Sequence, residues 1–179
     1  NRVHTKCVQK PRQILVITAF FTPSFGATAY KRALETKTNQ YIEKGTIIGG
    51  TAGEGATLMK VRRKIHQKSG VERVVINLGN KKGNLIEGRT SFFQVNVEPG
   101  ASRIVIHLAQ VNHSELSEQE LEKVFKNSPF VKTAKLIPDP EAASTNLVLG
   151  LKKQVKAEVI ELSKKGTPGR IVLDLKQKG

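Results

Sequence analysis

Arginine paired with an amide, imidazole or carboxylate side chain recurs through the chain at one spacing. The first member opens a six-residue phrase, and the second lies four residues later. Guanidinium groups bind carboxylates through two parallel hydrogen bonds. Amide, imidazole and carboxylate groups exchange hydrogen bonds with sugar hydroxyls and peptide amides. The spacing therefore predicts a binding face for a polar, anionic ligand, formed by Arg73, Asn77, Arg103, His107, Arg170 and Asp174. The alternative is that an arginine at a strand start is a solvated charge that protects a sheet edge.

Groups for catalysis or metal binding are sparse. The chain has no His-Glu-x-x-His run and no serine elbow. Its single cysteine, Cys7, excludes an internal disulfide framework and a four-cysteine zinc site. His107 and His113 with Glu115 form the best candidate for a metal site, but a strand histidine that faces solvent is the commoner arrangement. We therefore expect no enzymatic activity, no metal and no cofactor.

The phrase that carries these residues occurs four times and has the pattern of a half-buried strand. Each copy reads as a polar residue, three aliphatic residues, a variable residue and leucine. Because side chains alternate across a strand, the even positions form an apolar row and the odd positions a mixed row. The four copies start at Arg73, Arg103, Asn146 and Arg170. They predict a small β domain.

Two similar halves surround the phrases, at residues 71–111 and 144–179. Each half reads as strand, strand, Gly/Pro turn and strand, with Pro99-Gly100 and Pro168-Gly169 at corresponding turns. This pattern indicates an internal repeat of two antiparallel meanders that cover each other's apolar faces. Between them, residues 117–120 form a capping-box pattern that starts one short helix. The predicted fold is mainly β: a small β-sandwich of two similar antiparallel sheets with one short linking helix.

The segment before the first phrase is strongly basic. Residues 57–63 are predicted to form a strand, followed by a turn at Lys68-Ser69-Gly70. Lys60, Arg62, Arg63, Lys64, His66 and Lys68 accompany its apolar residues. Such a run is usually a solvated face, and the alternative is a contact surface for an anionic polymer. The formal net charge of +15 keeps that alternative open.

The N-terminal residues predict export and a spacer. Residues 1–29 combine a basic start, a short apolar run and an Ala27-Thr28-Ala29 end, which is typical of a cleaved signal peptide. The apolar run is shorter than a membrane-spanning helix requires. Loss of this leader would lower the net charge only from +15 to +11, because it carries four basic residues and no acid. Residues 30–56 are polar and rich in glycine, which predicts a flexible linker to a β domain at residues 57–179.

The phrases and the duplicated halves resemble the AMIN domain. The basic segment Val61-Arg62, His66 and the run Glu72-Arg73-Val74-Val75 are also similar to AMIN-like proteins that stand alone. The resemblance covers about residues 57–176. It implies two small symmetric antiparallel sheets, no catalysis, and localisation by binding to the cell wall. In the family this module lies beside the catalytic domain of periplasmic amidases and in secretins.

The chain departs from the family pattern in two places. The third phrase has Asn146 and Gly150 where the others have arginine and a polar side chain. No amidase catalytic segment occurs before Gly179. We therefore expect an exported, periplasmic, non-catalytic module that binds peptidoglycan or a cell-envelope protein, with no nucleic acid partner and no membrane span after signal cleavage. The alternatives are the targeting region of a larger amidase or secretin and a basic nucleic-acid-binding protein.

Overall fold

A computed structural model of the chain describes residues 30–53, 55–88 and 90–179. These residues form a β-sandwich with one α-helix, α1 (Glu118–Phe125). The strands are β1 (Lys31–Arg32), β2 (Gly45–Gly49), β3 (Ala56–His66), β4 (Val71–Asn80), β5 (Phe93–Glu98), β6 (Arg103–Ala109), β7 (Val111–Ser114), β8 (Val131–Asp139), β9 (Ser144–Leu151), β10 (Val155–Leu162) and β11 (Arg170–Gln177). The predicted fold class is confirmed.

Two sheets share one core. Sheet I has the strand order β1-β2-β5-β6-β9-β8, and sheet II has the order β10-β11-β4-β3-β7. The sheets are mixed rather than purely antiparallel, because β1 is parallel to β2 and β7 is parallel to β3. The second parallel pair arises where the chain bends at Gln110, whose φ is 59°. There the chain passes from β6 in sheet I to β7 in sheet II, a corner at which a strand changes sheets.

The four phrases lie in β4, β6, β9 and β11, and their even positions build the core. Ile104, Ile106 and Leu108 are fully buried, and the equivalent residues of the other phrases point into the same cluster. The alternation that predicted one apolar row is thus confirmed. Burying such a side chain stabilises the fold by roughly 1.5–3 kcal/mol, so this row supplies much of the drive for folding.

The strands of each half are divided between the two sheets, which corrects the prediction of one meander per half. The first half gives β4 to sheet II and β5 and β6 to sheet I, whereas the second gives β9 to sheet I and β10 and β11 to sheet II. Strand β4 pairs with β11, and β6 pairs with β9. Phrase strands from the two halves therefore pair directly with each other. Local alternation cannot show this, because sheet membership depends on pairing between distant residues.

Helix α1 closes one end of the sandwich. Its capping box is present: the Ser117 side chain accepts from the Glu120 backbone N–H, and the Glu120 carboxylate accepts from the Ser117 backbone N–H. Leu121 and Phe125 are buried against the core. Arg63 points inward here, unlike its neighbours on β3, and donates to the carbonyl of Val124 and to Glu72. The helix end and the sheet are thereby joined by a buried polar contact.

The segment predicted to be a flexible linker is part of the fold, which corrects that prediction. It contains β1 and β2, and Ala33 and Ile47 are buried in the core. Between β1 and β2, Leu34 and Ile42 form bridges to β10, so the segment leaves the edge of sheet I, meets the edge of sheet II and returns to sheet I. The predicted signal peptide at residues 1–29 lies outside the described residues.

Within the described part of the chain, no helix is long and apolar enough to cross a membrane.

Candidate functional site

The six predicted binding residues lie on opposite sides of the sandwich. Four of them, Arg73, Asn77, Arg170 and Asp174, occupy the outer face of sheet II on β4 and β11. In that register Arg73 lies opposite Asp174, and Asn77 lies opposite Arg170. The other two, Arg103 and His107, occupy the outer face of sheet I on β6. The structure therefore brings four of the predicted residues together and separates the other two from them.

Asp174 is buried although it lies on the outer face of sheet II, because side chains from other segments cover it. Its carboxylate is fully buried and accepts two hydrogen bonds from Arg73, with Nε–Oδ1 and Nη2–Oδ2 distances of 2.7 and 2.9 Å. Lys37 Nζ, from the segment between β1 and β2, donates to the same carboxylate at 2.5 Å. Burial works to raise the pKa of Asp174, but the hydrogen bonds and charges of Arg73 and Lys37 outweigh it and hold that pKa below its usual value.

The pair further along the same two strands is less tightly bound. Asn77 accepts a hydrogen bond from Arg62 across β3 and β4 at 3.2 Å. Arg170 is half-buried, and its Nε atom is buried without a hydrogen-bond partner among the described residues. A buried donor without a partner is uncommon and costs free energy. Because this Nε atom is buried, a ligand would be bound by the other nitrogens of the guanidinium.

Cationic side chains are concentrated on the outer face of sheet II. We define the basic face as the cationic residues that share this side of the sheet: Lys60, Arg62 and Lys64 on β3, Arg73 on β4, Lys156 on β10, and Arg170 and Lys176 on β11. The described acidic residues on this side are Asp174 and Glu158, and both are buried. The carboxylate of Glu158 accepts from the backbone N–H and the hydroxyl of Thr38. Asp174 is bonded through both oxygens, whereas Glu158 is bonded through Oε1 and its Oε2 atom is buried without a partner among the described residues. The exposed charge of this face is positive.

Two concave regions meet on the basic face. The lysine cavity, of about 500 Å³, is lined by Lys37, Tyr41, His66, Arg73, Lys156 and Lys176, with Asn39, Ser69 and Val71 completing its wall. The arginine cavity, of about 370 Å³, is lined by Arg62, Lys64, Arg73 and Arg170 and by apolar side chains at its floor. Arg73 borders both cavities. The two cavities are therefore neighbours on one face, and their cationic linings are suited to binding anions.

The outer face of sheet I has a different chemistry. Arg103 is paired with Glu98 at 2.6 Å, and both side chains are well exposed. His107 Nδ1 lies 3.0 Å from the amide oxygen of Asn146 on β9. Arg103 therefore has its own counter-ion, and His107 is paired with a neutral side chain. These two residues do not extend the basic face.

Lys37 and Tyr41 were not predicted as site residues. They fall in a segment that reads as a polar linker, and they reach sheet II only because that segment folds onto β10. The alternating cations of β3 were visible in the sequence as a charged run, for which a solvated face was the main interpretation and a contact surface for an anionic polymer the alternative. No group of three or more metal-binding side chains occurs among the described residues.

No protein-family model matches the chain, and no curated protein matches it significantly.

Proposed function

We propose that the chain is a non-catalytic binding module that attaches to an anionic polymer of the cell envelope, peptidoglycan in the first place, through the basic face. The observation that carries this proposal is the concentration of cations on one outer face whose two acids are already bonded within the protein. The peptide stems of peptidoglycan carry carboxylates, which lysine and arginine bind through charge-assisted hydrogen bonds.

The spacing of the cations suits a repeating ligand. Lys60, Arg62 and Lys64 alternate along β3, so consecutive cations are roughly 7 Å apart. Each exposed contact is weak on its own, because an isolated surface ion pair contributes about 0–1 kcal/mol. Several contacts to one polymer act together and raise the overall affinity. A rigid sheet face is therefore a suitable scaffold for multivalent attachment.

The predicted signal peptide supports a place for this activity outside the cytoplasm. Its residues, 1–29, are followed by a folded domain whose first strand begins at Lys31. We propose a periplasmic or otherwise exported module, alone or as the targeting region of a larger cell-wall amidase or secretin.

Co-sedimentation with purified insoluble sacculi tests the proposal. We expect the folded chain to sediment with sacculi near physiological ionic strength, where the Debye length is about 8 Å. The Lys60→Ala/Lys64→Ala variant removes two exposed charges from the basic face and is expected to reduce the bound fraction several-fold. Absence of sedimentation of the unmodified chain would rule the proposal out.

The matched control is Lys132→Ala/Lys135→Ala. It removes the same charge from exposed positions of β8 in sheet I. We expect it to retain nearly all binding. An equal loss in both variants would mean that net charge, and not the basic face, determines attachment.

Nucleic acid is the competing ligand, because the same cations would bind phosphates. Of the residues that line the two cavities, Tyr41 and His66 carry aromatic rings, and both lie in the lysine cavity. Single-stranded nucleic acids are usually held by several stacking aromatic side chains, so the lining favours a ligand without bases. Duplex and single-stranded DNA added to the sedimentation assay should compete poorly. Efficient competition with a steep salt dependence would favour the nucleic-acid alternative.

A further inference from the structure

We propose that the lysine cavity binds a doubly charged phosphoryl group, such as the phosphomonoester of a sugar or of a lipid head group. This site goes beyond attachment to a wall polymer and does not depend on it. Two lysines at the cavity, Lys156 and Lys176, take part in none of the ion pairs among the described residues.

Lys156 and Lys176 face each other across two neighbouring strands. They are directly opposite in the antiparallel register of β10 and β11. Such residues have their Cβ atoms about 4.5–5.5 Å apart, and like charges at this separation destabilise a sheet. Among the described residues, neither ammonium group has an acidic partner within 4.0 Å. An anion bound between them would relieve this repulsion.

The neighbouring row of the sheet contains the two buried carboxylates of this face, and both have hydrogen-bond partners within the protein. Glu158 lies opposite Asp174 on β10 and β11, and Arg73 lies opposite Asp174 on β4. Arg73 and Lys37 both donate to Asp174, and Thr38 donates to Glu158. Two cations thus lie beside two buried carboxylates. Lys156 and Lys176 remain as uncompensated charges at the cavity.

The uncompensated charge matches a phosphoryl dianion better than a single carboxylate. A phosphomonoester carries about −1.5 to −2 charges at pH 7 and three acceptor oxygens. The described contacts of Arg73 use Nε and Nη2, so its Nη1 can still donate toward the cavity. His66 lies in the same row as Lys176, with Val71 between them, and adds a further ring nitrogen. The donors therefore come from four strands: His66 from β3, Arg73 from β4, Lys156 from β10 and Lys176 from β11.

The cavity has room for more than the phosphoryl group. Its volume is about 500 Å³, and Tyr41 and Val71 contribute apolar surface to its wall. The Tyr41 ring also lies near Lys37, whose Nζ is 5.8 Å from the ring centroid. A sugar ring or glycerol moiety attached to the phosphate can pack against this wall, as ligands commonly do against aromatic side chains. This arrangement indicates a phosphorylated organic ligand.

An NMR titration of the ¹⁵N-labelled chain with glucose 6-phosphate, at constant ionic strength, tests the site. Glucose and acetate serve as ligands that lack the dianion. We expect saturable shifts at residues 66–71, 154–156 and 176–177 with glucose 6-phosphate, and no saturation with glucose or acetate. Equal binding of acetate, or no saturable binding of glucose 6-phosphate, would overturn the proposal.

Two matched variants locate the site. Lys156→Ala/Lys176→Ala should weaken binding of glucose 6-phosphate by about tenfold or more, and Lys156→Arg/Lys176→Arg should largely restore it. Lys60→Ala/Lys64→Ala removes the same charge outside the lysine cavity and should leave this affinity nearly unchanged. An equal loss in the two alanine variants would show a diffuse charge effect and refute the cavity.

A vesicle assay distinguishes a lipid head group from a soluble sugar phosphate as the source of the phosphoryl group. Flotation with phosphatidylcholine vesicles that contain phosphatidic acid tests the lipid source, and vesicles of phosphatidylcholine alone are the control. Binding that is stronger to these vesicles than to glucose 6-phosphate, and that is lost in Lys156→Ala/Lys176→Ala, identifies a lipid head group. The Lys60→Ala/Lys64→Ala variant separates the two proposals, because it should lose much of its sedimentation with sacculi and keep its affinity for glucose 6-phosphate. Failure of sacculus binding alone would leave the phosphoryl site intact.

Discussion

Asp174 joins three parts of the chain at one buried carboxylate. Arg73 comes from β4, Lys37 from the segment between β1 and β2, and Asp174 itself from β11. The Arg73 and Lys37 side chains are about one-third exposed, whereas Asp174 has no exposure. Removal of Arg73 would leave the carboxylate buried with Lys37 as its remaining cation. A loss of binding in Arg73→Ala would therefore also reflect a less stable fold.

Asp174→Asn is expected to lower the free energy of unfolding at pH 7 by about 2–3 kcal/mol, because it removes the charge that holds Arg73 and Lys37. The pKa of Asp174 in the folded chain lies below its ordinary value of 3.8. The stabilisation is therefore present above that ordinary value and is lost as the pH falls through the folded-state pKa. Urea unfolding from pH 7 to about pH 2 measures this. The difference in the free energy of unfolding between the unmodified chain and Asp174→Asn should decrease only at acid pH.

The control for this experiment is Asp139→Asn. Asp139 is half-exposed at the end of β8 and accepts one backbone hydrogen bond from Ala142. We expect a change below about 1 kcal/mol with little pH dependence. If the loss in free energy of unfolding caused by Asp174→Asn were constant down to the lowest pH, it would contradict the assigned ion pair.

Gly150 shows why one phrase differs from the other three. A Cβ atom at this position would lie 2.4 Å from Thr133 Oγ1 on the neighbouring strand β8. The β8–β9 register is irregular between Val131 and Thr133, which brings that side chain over the glycine. The glycine at this position therefore has a packing cause, which does not extend to Asn146.

At the scale of elements, β2 makes the segment before β3 an integral part of sheet I. It pairs antiparallel with β5 from Gly45↔Val97 to Gly49↔Phe93. The loop that follows is anchored at Glu161, which accepts hydrogen bonds from the backbone of Gly50 and the hydroxyl of Thr90. Glycine-rich composition alone suggests a tether. Here the glycines instead allow close approach: a Cβ at Gly50 would lie 2.1 Å from the Ser91 carbonyl oxygen.

Ile47→Ala tests whether β2 contributes to global stability. Ile47 is only 4% exposed and belongs to the core cluster. Truncating a buried isoleucine to alanine is expected to cost about 2–5 kcal/mol. Urea unfolding monitored by circular dichroism measures the loss. Lys44→Ala, at an exposed neighbouring position, is expected to have little effect, and equal stability of both variants would restore the flexible-linker hypothesis.

The whole molecule is asymmetric in charge. The basic face covers the outer side of sheet II, whereas on the outer side of sheet I Arg103 is balanced by Glu98. On the basic face, Lys64 lies directly opposite Arg73 on the neighbouring strand. Like charges in such positions are unfavourable. The arrangement indicates that part of the stability is given up for a surface with a strong positive potential.

Lys64→Glu is expected to change the free energy of unfolding and the binding to sacculi in opposite directions. The new carboxylate would lie opposite Arg73 and should raise the free energy of unfolding by about 0.2–1 kcal/mol. It should also reduce sedimentation with sacculi, since it places a negative charge on the basic face. Lys132→Glu on β8 is the control and should change both quantities less. A Lys64→Glu variant that binds as well as the unmodified chain would remove β3 from the proposed interface.

Local patterns in the sequence determined the elements of this fold. The alternation in the four phrases predicted β4, β6, β9 and β11 and their buried rows, and the Ser117–Glu120 capping box predicted α1. These features depend on neighbouring residues, so they can be read without the fold. The cations of β3 were also visible in the sequence as a charged run. The sequence did not show that these cations share one face of the sheet with residues of β11.

Tertiary structure alone decided which polar residues share a surface. Asp174 meets Arg73 across 101 positions of sequence and Lys37 across 137 positions. A strand pattern specifies which side chains alternate, but it does not specify the neighbouring strand or the sheet. Those depend on long-range pairing and register. For this reason the six residues with one common spacing are divided between the sheets. Four of them lie on the basic side of sheet II, where Asp174 is buried, and the other two lie on sheet I.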